Sequence, residues 1–226
     1  MFMGMGMPIP DLSNLPGASR PGGGGTPVPP GPTPLAQVNN VYSMSFDAAS
    51  SQYIEATNSA LNNANAITFS GWFKKTSGNV IGFESFVSTT DRIILYWWTD
   101  NKVYWSVRNG SESPAASSVL TIYNWNHIAG TFDGSTNTIK LYINGSLVST
   151  KTGQPSSTSA NLSNNFHIGL SNGNTYNNGQ IDEVSIFNVA LTDAEIQSIY
   201  NATETGKTAD LNDLTTPPVK WYRMGD

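Results

Sequence analysis

Residues 126–150 read NHIAGTFDGSTNTIKLYINGSLVST, short apolar-rich runs separated by turn residues. Ile128 and Phe132, then Ile139, Leu141 and Ile143, recur at even spacing, the period of a strand with one buried face. Asp133 to Asn137 break the first pair of runs and Asn144-Gly145 the second. Asn-Gly is the strongest two-residue hairpin signal, because both residues take positive φ at little cost. Three strands joined by tight turns form an antiparallel meander.

The same pattern runs outward on both sides. YSMSF and QYIEA flank Asp47, AITFSGWFKK alternates Ile67, Phe69 and Phe73 with polar or outward residues, and RIILYWW joins KVYWSV through Thr99-Asp100-Asn101. NFHIGL and QIDEVSIF complete the set. Many short strands with turns about 8–12 residues apart predict an all-β, antiparallel two-sheet jelly-roll sandwich or a barrel. One helix interrupts the pattern: Thr192 and Glu195 form a T-x-x-E capping box, and Leu191, Ile196, Ile199 and Tyr200 follow at helical spacing.

Composition narrows the function. Charged residues are 12% of the chain and the net charge is −5, against the clustered Lys and Arg that phosphate backbones require. There is no cysteine, which excludes disulfides, thiolate metal sites and cysteine nucleophiles. No run of about 18 apolar residues marks a membrane helix. The first positive charge is Arg20, so MFMGMGMPIP is not read as a secretory signal. Nine of the 13 prolines precede residue 36, which makes residues 16–40 a Gly/Pro linker. It divides an arm, residues 1–15, from a domain expected over residues 41–201. Phe2, Met3, Met5, Met7, Ile9, Leu12 and Leu15 give the arm apolar side chains without a core of its own. It is either a flexible tail or a peptide that docks on another subunit.

FDAASSQYIEA, ITFSGWFKK, YNWNHIAGTFDGSTNTIKLYINGSLV and GQIDEVSIFNVALTDAEIQSIY, in that order, resemble the laminin G-like, pentraxin-like jelly rolls among the concanavalin A-like sandwiches. The motifs that carry the likeness are W-x-H-I-A before Asp133-Gly134, L-Y-I-N-G at Leu141–Gly145, G-x-I-D-E-V at Gly179–Val184, and L-T-x-x-E-I at Leu191–Ile196. That resemblance implies the fold, which hosts lectins, adhesins, enzymes and spacers alike. MGMPIPDLSNLPG and TTPPVKWYRMGD resemble segments of tailed-bacteriophage structural proteins. This likeness implies a virion location, with the arm fastened to a capsid or tail subunit and the domain serving as capsid decoration, tail fibre or host-attachment lectin. Residues 202–226 are an extension, and Trp221 to Asp226 resemble the first strand of a further module.

Few residues are candidates for chemistry. A retaining glycosidase needs two carboxylates about 5–5.5 Å apart. Alternation along a strand sends Asp182 and Glu183 to opposite faces, and the acid triplet of glucanases with this fold is missing, so no catalytic residue is assigned. The family likeness suggests calcium shared by Asp47 and Asp182, although a hard cation takes six or more oxygens. His127 and His167 read as packed or capping residues. In RIILYWW, Trp97 shares a face with Leu95 and Ile93, while Tyr96 and Trp98 share the other with Ile94. That second set is a platform for sugar rings or an oligomer contact. Tyr176 and Asn177, in the polar loop SNGNTYNNGQ, are sugar-reading candidates or simply turn residues. The expected protein is a non-enzymatic glycan-binding or decoration module. The alternatives are a polysaccharide depolymerase and a cellular carbohydrate-binding or adhesion module.

Overall fold

The computed structural model describes residues 34–57, 61–78, 80–110, 116–121, 123–162, 165–171 and 175–225. The arm with Phe2, Met3, Met5, Met7, Ile9, Leu12 and Leu15 lies outside them. In chain order the elements are β1 (Gln37–Asn39), β2 (Met44–Phe46), β3 (Ile54–Thr57), β4 (Ala66–Lys75), β5 (Val80–Ser88), β6 (Asp91–Trp97), β7 (Lys102–Asn109), β8 (Ala116–Val119), β9 (Asn126–Asp133), β10 (Thr138–Ile143), β11 (Ser146–Thr152), β12 (Asn165–Ile168), β13 (Leu170–Ser171), β14 (Thr175–Tyr176), β15 (Gly179–Phe187), α1 (Asp193–Asn201), β16 (Lys207–Ala209) and β17 (Lys220–Tyr222).

Two antiparallel sheets face each other, as the strand pattern predicts. One has seven strands in the order β11-β10-β9-β4-β15-β17, with β2 also paired to β15; the other has six, β3-β12-β5-β6-β7-β8. Their inner faces enclose Phe69, Phe83, Trp97, Trp105, Phe132, Phe166 and Ile181, all nearly or fully buried. Trp105 shows how closely they mesh. A Cβ added at Gly130 would lie 2.4 Å from its ring, so only glycine leaves the indole room on β9. The indole N–H donates to the Thr131 carbonyl at 2.9 Å, which satisfies the one polar group this side chain takes into the core. Asn144 and Gly145 both hold positive φ, 48° and 75°, and make the expected turn between β10 and β11.

A third layer covers the outer face of the seven-stranded sheet. Ala129, Tyr142 and Phe187 point outward and pack under Leu191, Ile196 and Ile199 of the helix region and under Ala209, Leu211 and Leu214. The capping box forms as expected: Glu195 N–H donates to Thr192 Oγ1 at 3.2 Å, and Thr192 N–H donates to Glu195 Oε2 at 2.8 Å. Asp193 ties the helix start to β10, accepting from Lys140 Nζ at 2.8 Å and Tyr142 Oη at 2.7 Å. The layer draws on both ends of the described chain. Val38 lies opposite Thr208 in a β1–β16 pair, so the domain extends past residues 41–201 on both sides. Trp221, read as the start of a further module, lies opposite Ser185 on β17 and closes this sheet.

One expectation is corrected here. Ile181 and Val184 both face the core, although strict alternation would put them on opposite faces. The pairing of β15 with β4 shifts between Asp182 and Ser185, and Glu183 adopts φ 52°. This bulge inserts one residue into the strand. Asp182 and Glu183 therefore both leave the core, rather than pointing to opposite faces.

Candidate functional site

With one outer face covered, the outer face of the six-stranded sheet holds the site candidates. Parity places Trp97 inward at 1% exposure and Trp98, 41% exposed, outside. The hairpin between β6 and β7 fixes the exposed set. Buried Lys75 donates its ammonium to the Trp98 carbonyl and lies 5.7 Å over the Trp97 ring. Burial lowers the Lys75 pKa, and nearby Asp100 opposes that shift. Asp100 accepts Lys102 N–H at 2.9 Å and Tyr104 Oη–H at 2.7 Å. That second bond pushes the Tyr104 phenol up to about 12, because ionisation would place two anions together. Tyr104 is thus oriented by its own turn.

Tyr96 lies opposite Tyr104, and their rings stack at 5.0 Å and 14°. Trp98 meets Tyr96 edge-on at 5.7 Å and 86°. Three aromatic side chains are locked against one another before any ligand arrives. Such a surface offers electron-rich ring faces to the positively polarised C–H groups of a sugar, with hydroxyls read by neighbouring polar groups. One pleat step away Ile94 stands opposite Ser106, and two steps away Arg92 stands opposite Arg108. Ile94, Ser106 and Glu84 point outward yet are 2%, 1% and 0% exposed, so they form a floor beneath the longer side chains around them.

A second aromatic group lies across β5, at the β3–β12 edge. Tyr53 meets His167 edge-on at 5.5 Å and Tyr176 at 6.3 Å, and His167 Nε2 is 3.1 Å from Glu55 Oε2. Tyr176 is therefore half-exposed beside other rings, on the far side of β5 from Tyr96. Asn177 is not a surface residue. It is fully buried, and its backbone N–H donates to the Gly169 carbonyl at 3.0 Å. Its role is internal to the loop; Asn178 Oδ1 accepts Ala48 N–H at 2.9 Å and links that loop to the Asp47 turn.

The two acids offered to calcium do not converge. Phe46 lies opposite Gly179 and Met44 opposite Ile181, which sets Asp47 and Asp182 four residues apart along the strand, about 13 Å. Asp47 caps a short 3-10 turn, accepting Ala49 N–H at 3.0 Å and Ser50 Oγ–H at 2.9 Å. Asp182 Oδ1 accepts Glu183 N–H at 2.9 Å. Among the described residues no three His, Cys, Asp or Glu side chains gather as a metal site. Glu183 is 4% exposed, accepts the Trp221 indole N–H at 2.5 Å and pairs with Arg223 at 3.4 Å. Both carboxylates hold the bulge and β17 in place.

Residues 48–197 match the laminin G-type model of the concanavalin A-like lectin/glucanases superfamily. The chain belongs to that superfamily. No curated protein matches it in sequence. Solved structures of similar shape include a Bacteroides ovatus protein to which carbohydrate binding has been attributed, with TM-score 0.62 and 15% identity over 86% of this chain and 53% of that one. The chain thus spans about half of that protein's length. A second is the CBM40 of a Ruminococcus gnavus IT-sialidase bound to α2,3-sialyllactose, with TM-score 0.58 and 14% identity over 74% and 98%. A third is the Streptococcus pneumoniae NanB sialidase (K499G), with TM-score 0.56 and 17% identity over 76% and 28%. At these identities the likeness concerns the superfamily fold alone.

Sequence reading weighed Tyr104 within the aromatic run but left it, with Arg92 and Arg108, out of the candidate set, yet the pattern that groups them with Tyr96 and Trp98 was there. Arg92, Ile94, Tyr96 and Trp98 occupy alternate positions of one strand, and Tyr104, Ser106 and Arg108 those of the next. Carrying parity one step further collects them. The His167–Glu55 pair spans 112 residues and has no local signal.

Proposed function

We propose that this chain is a non-catalytic carbohydrate-binding module whose ligand lies across Tyr96, Trp98 and Tyr104. The observation that carries the reading is the rigid aromatic set on the one broad sheet face that the chain's own helix layer does not cover. Carbohydrate-binding relatives of the same fold support it, and so does the structural use of Asp182 and Glu183, which are buried and bonded within the scaffold. The test is an immobilised-glycan panel that includes sialyllactose and neutral oligosaccharides. Tyr96→Ala and Trp98→Ala should each weaken binding about tenfold or more with an unchanged melting temperature. Undiminished binding by both variants would move the site elsewhere.

The finer reading places this module on a virus particle. The arm would dock through Phe2, Met3, Met5, Met7, Ile9, Leu12 and Leu15 on a capsid or tail subunit, and the Gly/Pro linker would hold the lectin face outward. Its support is compositional: apolar side chains in a segment that cannot form its own core. Deleting residues 1–15 should then leave the sandwich folded but exclude it from particles. Normal copy number of the truncated chain would refute docking.

A further inference from the structure

We propose that Tyr123 is a further sugar-contacting residue, a second aromatic wall beside a ligand seated on Trp98. This rests on the carbohydrate-binding reading and extends the site from the sheet face onto a loop.

Tyr123 lies in the connection from β8 to β9, which crosses from the six-stranded sheet to the seven-stranded one. Its backbone adopts φ 72°. In that left-handed region an L side chain crowds the backbone, and a bulky residue there is an outlier. Other residues at positive φ are suited to it or compensated. Asn63, Asn101, Asn137 and Asn144 are of the type that tolerates it, and Ser51 ends the Asp47 turn. Glu183 is buried and bonded to Trp221, and Met224 belongs to the core. Tyr123 instead is 62% exposed. Folding gains little from its ring, so the strain points to a use outside the scaffold.

Two hydrogen bonds fix where that residue is presented. Tyr123 N–H donates to the Lys75 carbonyl at 2.9 Å, and Leu120 N–H donates to the Asn101 carbonyl at 2.9 Å. Asn101 belongs to the turn that carries Trp98, and its own N–H donates to the Trp98 carbonyl at 3.2 Å. Lys75 completes the link. While its carbonyl holds Tyr123, its ammonium donates to that same Trp98 carbonyl and lies 3.5 Å from Asn101 Oδ1. Trp98 and Tyr123, both exposed, are therefore tied to one buried lysine at the same end of the sandwich. The tie is one lysine side chain long, so a single short oligosaccharide can reach both residues. A tyrosine suits that place, because its ring face meets sugar C–H groups and its O–H bonds a hydroxyl.

Calorimetric titration of the full chain tests this with four probes: 3′-sialyllactose, cellohexaose, xylohexaose and chitohexaose. At least one should bind, and Tyr123→Gly should weaken that binding about tenfold. The same variant should melt no earlier than the unmodified chain, because glycine takes a φ of 72° without strain. Tyr123→Ala keeps the strain without the ring, so it should lose the same affinity and melt about 2–4 °C below Tyr123→Gly. Tyr123→Phe keeps the ring face and should retain binding. Undiminished binding by Tyr123→Gly, with binding lost in Trp98→Ala, would overturn the role of Tyr123 while sparing the carbohydrate-binding reading. Earlier melting of Tyr123→Gly would assign the ring to the scaffold and overturn that role likewise. Failure of all four probes to bind would overturn both.

Discussion

The two outer faces of this sandwich carry aromatic residues of similar kind and use them in opposite ways. On the seven-stranded sheet Trp72 stacks on Tyr200 of the helix at 5.9 Å, and Tyr142 and Phe187 are buried beneath the helix layer. On the six-stranded sheet Tyr96, Trp98 and Tyr104 pack against one another and leave Trp98 41% exposed. Aromatic content alone does not mark a binding face. What separates the two is whether the described residues supply a helical cover.

That contrast predicts a separation of stability from binding, most sharply at fully buried positions. Phe187→Ala should cost about 3–5 kcal/mol in denaturant unfolding, from lost burial and the cavity left under the helix. Trp98→Ala should cost under about 1 kcal/mol. Comparable losses at the two sites would mean that the exposed rings are scaffold after all.

A pH titration probes how tightly the cover sits. His127, beneath it on β9, is 1% exposed and bonds to Ser70 Oγ at 2.8 Å; burial lowers its pKa from 6.5 to about 4. Between those values the unfolded chain binds a proton that the folded chain does not. Stability should therefore fall as pH falls, by about 2 kcal/mol from pH 7 to pH 5. His127→Gln should flatten that slope. The lowered carboxylates of Asp91, Asp133 and Asp193 contribute on the far side of the window: their stabilisation is present above about pH 4 and is lost below it. A flat profile from pH 7 to pH 5 in the unmodified protein would show that water reaches His127. The smallest effect belongs to the helix cap. Thr192→Ala should cost about 1 kcal/mol and leave sugar affinity untouched, since no part of the cap contacts the open face.

The strand parity that separates these faces was legible in the sequence because each pleat position reports its own side. Trp97 and Trp98 were assigned correctly for that reason, and the Thr192–Glu195 box announced the helix. The bulge at Glu183 was not legible. One inserted residue reverses parity, and the groups that bind the Glu183 carboxylate there lie 38 and 40 residues away, in Trp221 and Arg223. The β1–β16 pair was hidden for the same reason, because Gln37 and Ala209 are joined by register and not by local pattern. Asn177 shows the limit of composition: a polar loop residue reads as a contact until its burial is known.

The central claim is that the open aromatic face binds sugar and the covered one does not. Glycan-panel binding by two tryptophan variants, each with a melting curve, tests it most directly. Trp98→Ala should lose binding at an unchanged melting temperature, and Trp72→Ala should melt earlier but bind the same glycans. Binding lost in Trp72→Ala and retained in Trp98→Ala would contradict the account.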